Sequence, residues 1–213
     1  MSSLLRRIFA VTASTLVVSA VSAQAEPLRV PVLVPITGFL SLEGTSQKNG
    51  AELALVGSDV AFSVADTATS PEIAINAFER AVDAAGVVAV VAPMLGTQML
   101  ALLPVANEFG IPLITVSGTA KITELGSANV YRFFPGDAVV KSAQARYAVE
   151  ERGAKRPAII SQTTAYGQSG RAELERNLIT IGAPPVVQEA LDISVKDMLP
   201  VLLKVQSSGA DAL

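Results

Sequence analysis

The sequence predicts an α/β fold, a parallel sheet with helices on both faces. Three observations predict it. Short β-branched runs such as LRVPVLVPI (28–36), VVAVVA (87–92) and PLITV (112–116) read as strands buried on both faces. Stretches of ten to fifteen residues with apolar positions at helical spacing separate them. No repeat period or low-complexity tract competes with this alternation.

Taken in order, the first strand covers 28–36, and Pro31 marks it as an edge strand or a locally irregular one. A short helix follows at 47–56 and a second strand at 60–64. The clearest helix start comes next, with Ser70 as N-cap, Pro71 at the first position and Glu72 in the first turn. Ala74, Ala77, Phe78, Ala81, Val82 and Ala85 form its apolar stripe, and Gly86 stops it. After the strand at 87–92, a helix over 97–109 carries Pro104 and ends at Gly110. The strand at 112–116 leads into a polar turn, Ser117-Gly118-Thr119. Beyond it come strands at 130–134, 157–161 and 186–189, and helices at 138–152, 168–181 and 195–208. Residues 209–213 read as a helix stop and the first residues of another strand, so the expectation is a truncated chain.

Composition narrows the function. Of 213 residues, half are hydrophobic and 16% charged, which suits a chain with a sizeable core and excludes intrinsic disorder. A net charge of −3, with no basic run beyond Arg6-Arg7, argues against a nucleic-acid surface. The chain has no Cys and no His. Thiol nucleophiles, disulfides, thiolate zinc sites and Ser-His-Asp triads are thereby excluded.

Residues 1–25 read as a secretory leader. Arg6-Arg7 supplies the positive region, an apolar stretch follows, and Ala23-Gln24-Ala25 places cleavage before Glu26. With no Cys to carry a lipid, the expected product is a soluble periplasmic protein without a stable membrane anchor.

Candidate chemistry is sparse. Gly167-Gln168-Ser169-Gly170 lacks the second glycine of a nucleophile elbow, since position 171 is Arg171. No G-x-G-x-x-G follows the first strand, and no phosphate-loop motif occurs. Asp59 and Asp66 flank the second strand as solvated carboxylates, and no cluster suits a metal. What remains is three loops at strand carboxyl ends, where such folds bind ligands. These are 37–44, 93–97 and 117–119, each built of glycines and small hydroxyl residues. Free N–H groups at a helix start and nearby hydroxyls bind anions such as a carboxylate, although ordinary caps and turns use the same residues.

The run VVAVVAPMLGTQMLALLPVANEFGIPLITVSGTAKIT (87–123) resembles the ligand-loop region of periplasmic branched-chain amino-acid-binding proteins, the type I substrate-binding proteins of ABC transporters. Tyr131-Arg132-Phe133 with Asp137, Tyr166-Gly167-Gln168-Ser169-Gly170, and Lys196-Asp197 leading into 199–213 extend the resemblance. It implies two α/β lobes closing on a ligand, with 26–135 as a nearly complete first lobe and 136–213 as an incomplete second one. It places Gly96 and Thr97 at the ligand carboxylate, Ser117 at the ammonium group through its backbone, and Thr119 at a hydroxyl contact. Tyr166 matches an aromatic of the second lobe, and Glu43 falls where the family often has an aromatic beside the ligand. Gly96 replaces the usual Ser, Glu43 brings charge to an apolar position, and 56–60 lacks a Gly-rich insertion. The acidic partner of the ammonium group would lie beyond Leu213, so this chain alone is expected to bind weakly.

The implied function is capture of a branched-chain amino acid or related small polar solute for an inner-membrane permease. No enzyme activity and no cofactor, metal or nucleic acid is implied. A periplasmic ligand sensor on the same fold, signalling to a partner protein instead of a permease, is the alternative.

Overall fold

A computed structural model describes residues 26–213; the leader expected over 1–25 lies outside them. Two parallel sheets organise the chain, and each is called a lobe with its helices. The first has the order β2-β1-β3-β4-β5 and the second pairs β6 with β7. In the first, β1 (Val32–Val34) lies between β2 (Val64–Asp66) and β3 (Val90–Val91), followed by β4 (Leu113–Thr115) and β5 (Val130–Arg132).

This order excludes one of the two readings of Pro31, an edge strand, and bears out the other, a locally irregular one. The first strand is central, and Pro31 interrupts its ladder instead. Arg29 makes isolated bridges to Ala61 and Val87, and regular pairing begins only at Val32. The Pro31 carbonyl still accepts from Val91 N at 2.9 Å, so only its missing N–H is lost to the sheet.

Right-handed crossovers sort the helices. The step from β1 to β2 runs opposite to that from β2 to β3. It therefore puts α1 (Ser41–Leu55) on one face and α2 (Pro71–Val82) and α3 (Gly96–Phe109) on the other. Phe78, Met99, Leu102 and Leu113 are fully buried there and centre the main core. Helix α2 begins as its sequence predicts, Ser70 Oγ accepting from Ile73 N at 3.2 Å. Helix α3 ends at Gly110, whose φ of +66° closes it in the left-handed region. The face carrying α1 leaves a groove of about 770 Å3 between that helix and Val91, Ile114 and Val116.

Several boundaries differ from expectation. Helix α1 starts six residues before position 47, with Leu40 in place of a capping side chain. Its signal is a contact instead: a methyl group on buried Gly44 would lie 1.9 Å from Pro35 O. The short α4 (Lys121–Glu124) has no sequence mark. The helix expected over 138–152 divides into α5 (Asp137–Arg146) and a π-helical turn, Tyr147–Glu151. Helix α6 (Ala165–Thr180) starts three residues early, because Thr164 rather than Gln168 begins it, accepting from Gly167 N at 3.1 Å. Helix α7 (Leu199–Ser207) starts with Pro200 in its first turn, where proline fits.

The second sheet joins β6 (Ala158–Gln162) to β7 (Val187–Leu191). Residues 209–213 do approach it as a strand: Ala212 bridges Pro157 in parallel, and its carbonyl accepts from Ala158 N at 2.8 Å. No helix of the described residues is long and apolar enough to cross a membrane.

Asp66 is not the solvated strand-end carboxylate expected from sequence. It accepts from Ile36 N at 2.8 Å, Thr37 N at 3.1 Å, Thr37 Oγ1 at 2.6 Å and Ala68 N at 2.8 Å. Burial pushes its pKa up, and these bonds outweigh that and hold it below the usual carboxylate value. The loop it pins contains two non-glycine residues with positive φ, Ala68 at +46° and Thr69 at +56°. Left-handed backbone costs an alanine about 1 kcal/mol. Ala68→Gly is therefore expected to raise stability, by up to about 1 kcal/mol, in urea unfolding followed by circular dichroism. A lower midpoint would show that the alanine methyl group supplies packing that outweighs the strain.

Candidate functional site

The carboxyl ends of both sheets face a single cleft of about 360 Å3. Phe39, Thr69, Leu95 and Thr97 line it from the first lobe, and Thr163, Thr164, Ala165, Gln168, Asp192 and Ile193 from the second. Each comes from a loop after a strand or from the first turn of the helix that follows. Among the described residues three hydrogen bonds join the lobes. Ala165 N donates to Thr97 Oγ1 at 3.2 Å, Ala120 N donates to Ser169 Oγ at 3.0 Å, and Asp137 N donates to Gly118 O at 2.8 Å.

The first of these brings two helix N-termini together. Helix α3 opens on Leu95 with no side-chain cap, so its first-turn N–H groups have no capping side chain to donate to. Helix α6 opens opposite, with Thr164 taking Gly167 N. Both partial positive ends meet at Thr97, an arrangement that favours an anionic group.

Among the expected site residues, Gly96, Thr97 and Thr119 are contiguous. A methyl group on Gly96 would lie 1.9 Å from Thr119 Oγ1 and 2.8 Å from Thr119 Cβ. The threonine thus fills the space that a serine side chain at 96 would need. Thr119 and Ser117 are both 1% exposed, and their hydroxyl oxygens have no hydrogen-bond partner. Tyr166 covers the same turn: a methyl group on Gly118 would sit 3.3 Å from its Cε2 and 3.2 Å from Asp137 Oδ1. Glu43 stands apart from this group. It faces the groove beside α1 with Met94, Val116 and Phe133, not the cleft lined by Thr97.

Sequence reasoning named Asp137 only as a family match. It is 2% exposed, and its Oδ2 lacks a partner. Burial pushes its pKa up, against the Ser169 hydroxyl and the charges of Lys141 and Arg132. Burial, and then the charge of Asp137, raise the Tyr166 phenol, whose ring has Lys141 Nζ 5.9 Å from its centroid. Arg132 secures the turn from outside, donating to Thr119 O at 3.0 Å and to Thr123 Oγ1 at 2.9 Å. Phe39 falls within the candidate loop 37–44, whereas Thr69, Asp192 and Ile193 went unnoticed because nothing in their spacing marks them. No group of three potential metal-ligating side chains occurs among the described residues.

Comparison with known proteins fits this geometry. A family model described as periplasmic binding protein matches residues 27–213. The chain belongs to this family. It is a family of binding proteins, not of enzymes, and leucine-binding members are among the relatives of this chain. A Leu/Ile/Val-binding protein of Rhizobium johnstonii is 26% identical over 196 residues, covering 87% of this chain and 53% of that protein. An amino acid binding protein of Pseudomonas aeruginosa is 29% identical over 150 residues, covering 70% of this chain and 40% of its own length. The periplasmic binding protein chain therefore spans about half the length of the curated relatives it matches. Among solved structures, a leucine binding protein from Thermotoga maritima superposes with a TM-score of 0.77 at 23% identity, over 86% of this chain and 54% of that one. A solute binding protein of an ABC transporter from Rhodopseudomonas palustris, in complex with p-hydroxybenzoic acid, gives 0.79 at 19% identity, over 87% and 53%. Both likenesses carry the type I fold.

Proposed function

We propose that this protein is the solute-binding component of an ABC transporter and captures a small carboxylate-bearing solute between lobes 26–135 and 136–213. A branched-chain amino acid or a related small polar solute is the substrate class. The leader at 1–25 directs it to the periplasm, and an inner-membrane permease receives the solute. The observation that carries this reading is the meeting of the α3 and α6 N-termini at Thr97, whose hydroxyl accepts from Ala165 N at 3.2 Å. A carboxylate entering there takes up the uncapped N–H groups of α3 and the Thr97 hydroxyl as donors, while the hydroxyl oxygen keeps the Ala165 N–H. The names of the relatives support the same chemistry, since Leu/Ile/Val-binding and p-hydroxybenzoate-bound proteins alike handle a carboxylate.

Thr97→Val in the full-length protein is the test. A lost hydrogen bond to a charged group costs about 1.5–3 kcal/mol, so affinity for the cognate acid is expected to drop about tenfold or more. Calorimetric titrations with L-leucine, L-isoleucine, L-valine and sodium benzoate read it. An unchanged dissociation constant with an intact fold would reduce Thr97 to a contact between lobes.

A further inference from the structure

We infer that Phe39 is a specificity-determining residue of the cleft, the surface on which the apolar part of the solute rests. This deepens the proposed solute-binding function and rests on it. The family resemblance puts an aromatic at position 43, which here is Glu43, turned to another groove. The aromatic in the cleft comes instead from the loop before α1. Phe39 is 42% exposed, with Leu95 and Ile193 beside it on the cleft wall. Those three apolar side chains lie in the same cleft as Thr97 and Asp192. A solute whose carboxylate sits at Thr97 has this apolar surface available for a ring or a branched chain.

The position of Phe39 is held from below. Asp66 pins the preceding residues through Ile36 N, Thr37 N and Thr37 Oγ1, and the neighbouring loop through Ala68 N. Gly38, with φ +91°, then meets Thr69: a methyl group at 38 would lie 2.4 Å from Thr69 Oγ1. Gln98 fixes the far side of that loop, Nε2 donating to Thr67 O at 3.0 Å and to Ser70 O at 3.1 Å. Gln98 and Thr67 are completely buried, and Gln98 directly follows Thr97 on α3. The loop that aims Phe39 and the helix that offers Thr97 are thus parts of one hydrogen-bonded unit. Asp66 acts here as a positioning residue.

The chain contains no tryptophan, so Phe39→Trp places a fluorescence reporter at the site itself. In the ligand-free chain, adding Asp66→Asn or the milder Thr37→Val to Phe39→Trp is expected to lower the anisotropy of the introduced indole and raise its quenching by acrylamide. Far-ultraviolet circular dichroism verifies the fold of each variant. Unchanged anisotropy and quenching in folded variants of both kinds would overturn the positioning role. L-leucine and sodium benzoate, titrated separately into the full-length protein, supply the binding arm. Phe39→Ala is expected to weaken the ligand that binds about tenfold, the effect of losing an aromatic contact. Wild-type affinity retained in Phe39→Ala overturns the inference and leaves solute binding standing. No heat from either ligand with the wild-type protein overturns both.

Discussion

Gly96→Ala is expected to destabilise the protein by about 3 kcal/mol, and the loss is expected to vanish largely when Thr119 becomes Gly. An added methyl group would stand 1.9 Å from Thr119 Oγ1 and 2.8 Å from Thr119 Cβ. Overpacking a dense site costs about 1–3 kcal/mol and more where backbone has to move. Thr119 is 1% exposed and has Arg132 on its carbonyl, so it has little room to yield. Thr119→Ala would relieve only the hydroxyl conflict, and its remaining Cβ would still be too close. Urea unfolding of Gly96→Ala, Thr119→Gly and the pair, each with the wild type, gives the coupling directly. Strict additivity of the two losses would show that the side chains do not share the space.

Gly167→Ala is expected to cost as much and to act on the cleft from the other side. Its methyl group would lie 2.1 Å from Gln162 O and 2.7 Å from Gln162 N, both backbone atoms at the end of β6. No flexible side chain can give way. The start of α6 is displaced from the sheet, and with it Ala165, whose amide reaches Thr97 across the cleft. A loss of about 3 kcal/mol lowers the midpoint of thermal unfolding by about 6–12 °C in a chain of this size. Amide hydrogen exchange should rise in the first turn of α6 and at β6 before it rises in the first sheet. Uniform protection equal to that of the wild type would mean that β6 and α6 adjust at no cost.

The same two glycines show how far the sequence could be read. The alternation of strands and helices was legible because buried parallel strands and amphipathic helices leave periodic marks. Ser70-Pro71-Glu72 announced α2, and Gly110 closed α3. Helix α1 began unannounced because its first turn is fixed by Gly44 against Pro35, a contact between segments that no local spacing encodes. Of the residues to which the family pattern led, Thr97 lines the cleft; Gly96, Ser117 and Thr119 lie buried about the β3–α3 and β4–α4 turns, and Tyr166 comes from α6. The pattern could not reveal that Thr119 occupies the space beside Gly96. The sequence marked the loop 37–44 without singling out Phe39, and it read Asp66 as solvated because its partners at Ile36 and Thr37 lie about thirty residues away.

The four ion pairs among the described residues each stay within one lobe: Lys48–Glu52 in the first, and Arg146–Glu150, Arg176–Glu173 and Lys204–Glu189 in the second. The hydrogen bonds that cross between lobes are of another kind, an uncharged amide donating to a hydroxyl at Thr97 and at Ser169 and to a backbone carbonyl at Gly118. Dissolved salt screens charges and leaves such bonds almost untouched. Each contributes only about 1 kcal/mol. The neutral bonds between the lobes are thus individually weak and little affected by ionic strength, and what salt can change there is the attraction between Arg132 of the first lobe and Asp137 of the second.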